Sequence, residues 1–336
     1  MNVNIDIQEN DIIEKYPDVL QVLLRDQTTQ KNICWATDNY SYLGEQFSFN
    51  HEIEPELITG ENGNIITPRV HKDKILQHSR SKEMAEVFTP SWICNAQNNV
   101  IDNAWFGRKN VFNRDIFDEK KWEINNEKII FPKNKNWKDY VKDTRLEISC
   151  GEAPYITSRY DTTTGKFIEI ENRIGLLDRK LRVINENTNE PIEWLEATKL
   201  AYKNTYAYEW QGDSLLLARE SMLFTFIENY KYKFEEEPLL KSIQDIAEII
   251  SWNVWQMDGL KGVVPFSCGE IKNKTVNLFG EEIADNSFCK GCLNGNIFQH
   301  NGTYCLIMDW SSSDLKGEKI RFIDLLQSKH QSINGK

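Results

Sequence analysis

The sequence predicts an α/β fold built on a doubly wound, largely parallel sheet, and three observations carry that expectation. Segments of strand and helix character alternate between residues 144 and 258, in the order strand, helix, strand, helix, strand. Each strand ends on an acidic residue or a glycine turn: Glu147 to Gly151, Glu209, and Asp258-Gly259. No internal repeat or low-complexity stretch interrupts the pattern. In a parallel sheet such strand ends share one edge, where a glycine lets a ligand approach the backbone without a Cβ in the way.

The elements follow in order. Residues 1–80 form an N-terminal extension of short apolar segments and polar loops, with no chemistry of their own. Ser79 to Glu83 is a polar hinge. Thr89 suits the N-cap of a helix and Pro90 its first position. Residues 144–149 read as a strand. The stretch from Arg159 to Glu190 exceeds an ordinary crossover loop and is expected to be an added surface for a partner or DNA. Pro191 opens a helix to about Lys203, rich in Ala, Leu and Glu. Thr205 to Trp210 alternates as a strand does. Asp213 is placed to cap the next helix, whose Leu215, Ala218, Met222 and Phe226 form one apolar stripe. A further helix starts at Pro238, with Leu239, Ile243, Ile246 and Ile250 on one face, and Trp252 to Asp258 reads as the last strand. Residues 81–266 are the expected core and 267–336 a Cys-rich C-terminal segment.

Bulk composition narrows the function. With 40 Lys and Arg against 51 Asp and Glu, the net charge is −11, which opposes indiscriminate binding to phosphate backbones. No apolar run approaches the roughly 18 to 20 residues of a spanning helix, so no membrane partner is expected. The N-terminus lacks the basic and apolar regions of a secretory signal, and a cytoplasmic location is expected. Seven cysteines, an odd number, then point to free thiols or metal ligands.

Residues 107–145 depart from the acidic average. Eleven Lys and Arg lie there among Trp105, Phe106, Phe112, Trp122, Trp137 and Tyr140. One interpretation is a nucleic-acid face with stacking platforms. The interleaved acidic residues favour the plainer one, a solvated surface over a few core aromatics.

A row of carboxylates along one sheet edge suits a ligand with an amino-acid part, a ribose and a purine. Glu147 would hold the charged end, Glu209 the ribose hydroxyls and Asp258 the exocyclic amine of the base.

At these residues the chain resembles the gamma-type N6-adenine DNA methyltransferases of restriction–modification systems, in particular their short M-subunit chains. Glu86-Val-Phe88-Thr89-Pro90 resembles the segment that packs on the cofactor. Glu147 to Ala153, with Ser149, Cys150 and Gly151, resembles the first core motif, although Ile148 stands for its proline and Ala153 for its second glycine. Tyr206 to Phe226, with Glu209, and Gln256-Met-Asp258-Gly259 resemble the next two. The resemblance spans roughly residues 84–266 and implies a Rossmann-like class I methyltransferase sheet with helices on both faces. It also implies S-adenosylmethionine as cofactor, DNA as partner, and a specificity or restriction subunit alongside. In that family an Asn- or Asp-Pro-Pro-aromatic motif orients the flipped adenine. Here Val263-Val-Pro265-Phe266 keeps only the proline and the aromatic, and valine accepts no hydrogen bond. The resemblance therefore implies either an adenine-specific methyltransferase or M-type subunit whose acceptor comes from elsewhere, or an inactive methyltransferase-fold subunit that binds cofactor, DNA or a partner.

A second constellation lies outside that match. Cys289-x2-Cys292-x7-His300-x4-Cys305 has the residue types and close pairing of a structural zinc site, with Cys268 as a spare thiolate.

Overall fold

Three parallel strands organise the chain. The computed structural model describes residues 5–72, 74, 77, 80, 82, 88–269, 288–311 and 317–327, and the backbone alone of 271–276 and 282–287. Its strands are β1 (Asn113–Ile116), β2 (Lys121–Ile124), β3 (Arg145–Ile148), β4 (Thr205–Glu209), β5 (Val254–Gln256), β6 (Ile271–Val276), β7 (Glu282–Ser287), β8 (Leu306–Asp309) and β9 (Glu318–Arg321). β3, β4 and β5 form the parallel sheet in that order; the other six pair antiparallel as three hairpins. Register sets Glu147 beside Ala207 and Ala207 beside Val254, so all three carboxyl ends meet one edge.

Side-chain alternation divides the sheet into two faces. Ala207 and Val254 enter the main core with the helices Pro191–Lys203, Gly212–Phe234 and Leu240–Asn253. On the other face Tyr206, Tyr208 and Trp255 pack against Ile307, Ile320 and Phe322, from β8, β9 and the turn after β9. A β-hairpin thus covers the face where helices were expected, and the described residues give the parallel sheet three strands rather than a full doubly wound set. At its β3 margin Leu146 is 44% and Ile148 64% exposed.

The helix Pro191–Lys203 keeps the expected bounds. In the helix Gly212–Phe234 the stripe Leu215, Ala218, Met222 and Phe226 is fully buried. Asp213 does not cap it: Gln211 holds that position, and the Asp213 carboxylate turns inward to Lys72, Arg80 and Tyr40. Leu239 precedes its helix and is exposed, while Ile243, Ile246 and Ile250 are buried. Trp252 and Asn253 end that helix rather than open β5.

Residues 159–190 are not a surface loop. They contain the helix Leu176–Asn187, whose Leu177, Leu181 and Ile184 are buried at helical spacing. The carboxylate of Asp178 secures its start, accepting from the backbone N–H groups of Ser158 (2.8 Å) and Gly175 (3.0 Å).

The N-terminal segment shares the main core through Leu20, Leu23, Leu24 and Trp35. Buried Arg219 ties it to the sheet by donating to the carbonyls of Val254 (2.8 Å), Arg25 (3.0 Å) and Leu23. Among residues 107–145, Phe106, Phe112 and Tyr140 are buried together, which removes them as stacking platforms; Arg114 and Lys121 pair with Glu123 and Glu119. No helix among the described residues is long and apolar enough to cross a membrane.

Candidate functional site

The carboxyl ends of β3 and β4 open into a cleft of about 860 Å³. Phe88, Thr89, Glu147, Ser149, Cys150, Gly151 and Glu209, seven of the residues singled out from sequence, line it together.

The turn after β3 gives the cleft its floor. Ser149, Gly151 and Ala153 all have positive φ, of 48°, 54° and 57°. Only glycine takes that region without cost, so Ala153 keeps a glycine-like backbone with an alanine side chain. The ring edge of Phe88 lies 3.4 Å from where a Cβ on Gly151 would sit. The guanidinium of Arg69 stands 5.2 Å from the centre of that ring. Pro90 holds the N-cap position of the helix Ser91–Phe106, one residue later than expected for Thr89. A proline has no side-chain acceptor, and the carboxylate of Asp161 caps the helix by accepting from Ser91 N–H at 2.7 Å.

Glu209 is the hinge between the strands. Its Oε2 accepts from Gly151 N–H at 2.8 Å, and its Oε1 from Trp210 N–H (2.9 Å) and Gln211 N–H (3.2 Å). Burial pushes its carboxyl pKa up, and these three donors pull it back. Glu147 is less well provided. Its Oε1 accepts from Tyr155 N–H at 3.4 Å, and its buried Oε2 has no hydrogen-bond partner among the described residues. Burial, with the charge of Glu209 adding to it, holds the Glu147 carboxyl well above the ordinary range. A buried oxygen without a donor, on the wall of a cleft, is a place where a ligand cation or N–H group would be stabilised.

Asp258 does not join this group. β5 ends at Gln256, and two residues later the Asp258 carboxylate folds onto its own turn. It accepts from Leu260 N–H (3.1 Å) and Lys261 N–H (3.2 Å) and pairs with the Lys261 ammonium at 3.1 Å. Pro265 and Phe266 lie outside the cleft lining as well. The Phe266 ring reaches its rim, 5.2 Å from that of Trp210, which does line the cleft; Val263 is buried. Asn98, Tyr155 and Gln211 are among the other lining residues and carry no motif in the sequence that could have found them. Gln256 is a further unpredicted tie, donating to the carbonyls of Cys34 and Trp210 at 2.8 Å each.

A second site gathers Cys268, Cys289, Cys292 and His300, whose ligand atoms all lie within 4.8 Å of one another. The Cys268 sulfur is 3.2 Å from that of Cys289 and 3.5 Å from that of Cys292. The Nδ1 of His300 lies 3.3, 3.5 and 3.6 Å from the three sulfurs of Cys268, Cys289 and Cys292. Ligands held by one ion at bonds of about 2.0–2.3 Å stand ~3.3–3.8 Å apart, so this group could hold a metal such as zinc. Cys305, expected as the fourth ligand, is instead buried under the sheet, its thiol 3.4 Å from the Gln256 carbonyl. Cys268 takes its place because the chain after β5 folds back onto the knuckle. Gly291 makes that closure possible: a Cβ there would meet the backbone nitrogen of His300 at 2.6 Å and its ring at 2.7 Å. Asn301 N–H donates to the Cys289 sulfur at 3.3 Å, in support of a thiolate.

No family model matches the chain, and neither does any curated protein or solved structure.

Proposed function

We propose that this chain binds S-adenosylmethionine and serves as an adenine-N6 DNA methyltransferase, or its M-type subunit, in a cytoplasmic restriction–modification or phage-defence system. One observation carries the proposal. Phe88, Thr89, the Glu147-to-Gly151 turn and Glu209 are far apart in sequence yet line one cleft at the carboxyl edge of a parallel sheet. Ligands of open α/β sheets bind at that edge.

The residues present suit such a ligand. The unpartnered Oε2 of Glu147 is available to an ammonium group. Gly151 keeps the turn open beneath Phe88. Glu209 retains lone pairs for hydroxyl donors beyond its three backbone partners. The cofactor, when bound, supplies an electrophilic methyl group on a sulfonium. Asp258 is turned away to Lys261, so contacts to a purine would fall to other lining groups.

A specific observation favours a second role, a subunit that binds cofactor, DNA or a partner without transferring methyl groups. Val263 is buried and apolar where an acceptor is needed, and residues 263–266 offer only backbone carbonyls. Calorimetric titration with S-adenosylmethionine tests the cofactor-dependent part, and absence of binding by the full chain overturns the enzyme and leaves only a subunit that binds DNA or a partner. Transfer of a labelled methyl group to unmethylated DNA separates them: incorporation selects the enzyme, while binding without incorporation selects the subunit.

A further inference from the structure

The chain between β5 and the cysteine knuckle links the two sites. Val264 N–H donates to the Thr303 carbonyl at 2.9 Å, and Cys305 N–H to the Gly262 carbonyl at 3.1 Å. Thr303 N–H reaches the Ser267 hydroxyl at 3.1 Å. The segment 262–267 is therefore laced to 303–305 and leads into Cys268, one of the four clustered residues. Two residues before that ligand stands Phe266, half exposed, with a φ of +59° that a bulky side chain rarely adopts. Its ring lies 4.9 Å from that of Phe49 and 5.2 Å from that of Trp210 at the cleft mouth. Such a backbone persists only where its surroundings fix it. On one side are the edge-on rings of Phe49 and Trp210; on the other, two residues along the chain, is Cys268.

Three sulfurs and an imidazole nitrogen this close gain little from one another and much from a shared soft cation. We propose that Cys268, Cys289, Cys292 and His300 bind one zinc-type divalent ion, and that this ion pins Phe266 against Trp210 and so sets the mouth of the cleft. Four protein ligands leave no coordination position for water, so the ion is structural. The inference deepens the proposed function, because it matters for function only if the cleft takes a ligand. Its test needs no such ligand, so failure of S-adenosylmethionine binding would leave it standing.

Elemental analysis of the full chain, purified under reducing conditions, is expected to give about one zinc per chain. Cys268→Ser should lose the metal and Cys305→Ser should keep it. Hydrogen exchange, followed by mass spectrometry before and after treatment with a strong chelator, then reads the coupling. Removal of the ion should accelerate exchange about tenfold or more in peptides over 258–268 and over 208–212, and leave 216–230 unchanged. The proposal is overturned by a metal-free wild type, by a Cys268–Cys289 disulfide in place of the metal, or by loss of metal in Cys305→Ser alone. Release of 258–268 with no change over 208–212 overturns the coupling. The chelation experiment on wild type decides the matter even if Cys268→Ser does not fold.

Discussion

The backbone N–H of Gly151 donates to the Glu209 carboxylate across 2.8 Å and, beside the bond from Cys150 N–H to the Tyr208 carbonyl at 3.0 Å, joins the turn after β3 to the end of β4. Glutamine at 209 has a single acceptor oxygen for three backbone donors. Glu209→Gln should therefore destabilise the chain by about 1–3 kcal/mol, because a nearly buried donor is left unmet. Urea denaturation checks this, and a midpoint unchanged from wild type would show that the bond does not hold the turn.

Glu147 gives a pH-dependent expectation. Its folded-state carboxyl pKa lies above the ordinary 4.5, so the folded protein binds that proton more tightly than the unfolded chain. Below 4.5 the group costs nothing; as pH rises toward the folded value its contribution turns increasingly unfavourable. Glu147→Gln should thus melt at a higher temperature than wild type at pH 7, and the two melting temperatures should converge near pH 4. A difference independent of pH would contradict the buried, unpartnered state of this carboxyl.

Asp213 works in the opposite sense. Burial would raise its pKa, but Arg80 at 2.8 Å and Lys72 at 3.2 Å hold it well below the ordinary 3.8. Its stabilising contribution is present above 3.8 and lost as pH falls below that value. Asp213→Asn removes the carboxylate that Lys72 and Arg80 share in a buried setting and should cost about 3–5 kcal/mol at neutral pH. Denaturation at pH 7 and pH 3 should show the penalty shrinking in acid.

Asp161 acts at a distance of seventy residues. It supplies the cap that Pro90 cannot, through the 2.7 Å bond from Ser91 N–H. Asp161→Ala should cost about 0.5–2 kcal/mol. Exchange should quicken in the first turn of the helix Ser91–Phe106, beside Phe88 and Thr89, and remain slow at Phe106.

Much of this architecture is legible from local chemistry. The helix Pro191–Lys203 is announced by its proline and its helix formers, and the stripe through Leu215 and Phe226 by its spacing. The helix Leu176–Asn187 also carries an apolar spacing, but polar Asp178, Arg179 and Lys180 interrupt it. All three are buried, Asp178 and Arg179 against distant polar partners and Lys180 against the carbonyls of Asp143 and Asn204. Asp213 looks like a cap because its neighbours in sequence suggest nothing else; its partners, Lys72 and Arg80, are more than a hundred residues away.

By itself the sequence determined which residues could line a ligand site: a glycine turn and three strand-end carboxylates, because turn geometry and strand periodicity are local properties. Only the tertiary structure decided that Glu147 and Glu209 converge while Asp258 turns to Lys261, since strand length and register choose which ends meet. It also decided that Cys268 and not Cys305 joins Cys289, Cys292 and His300, because the return of the chain over the sheet buries one thiol and brings the other to the knuckle.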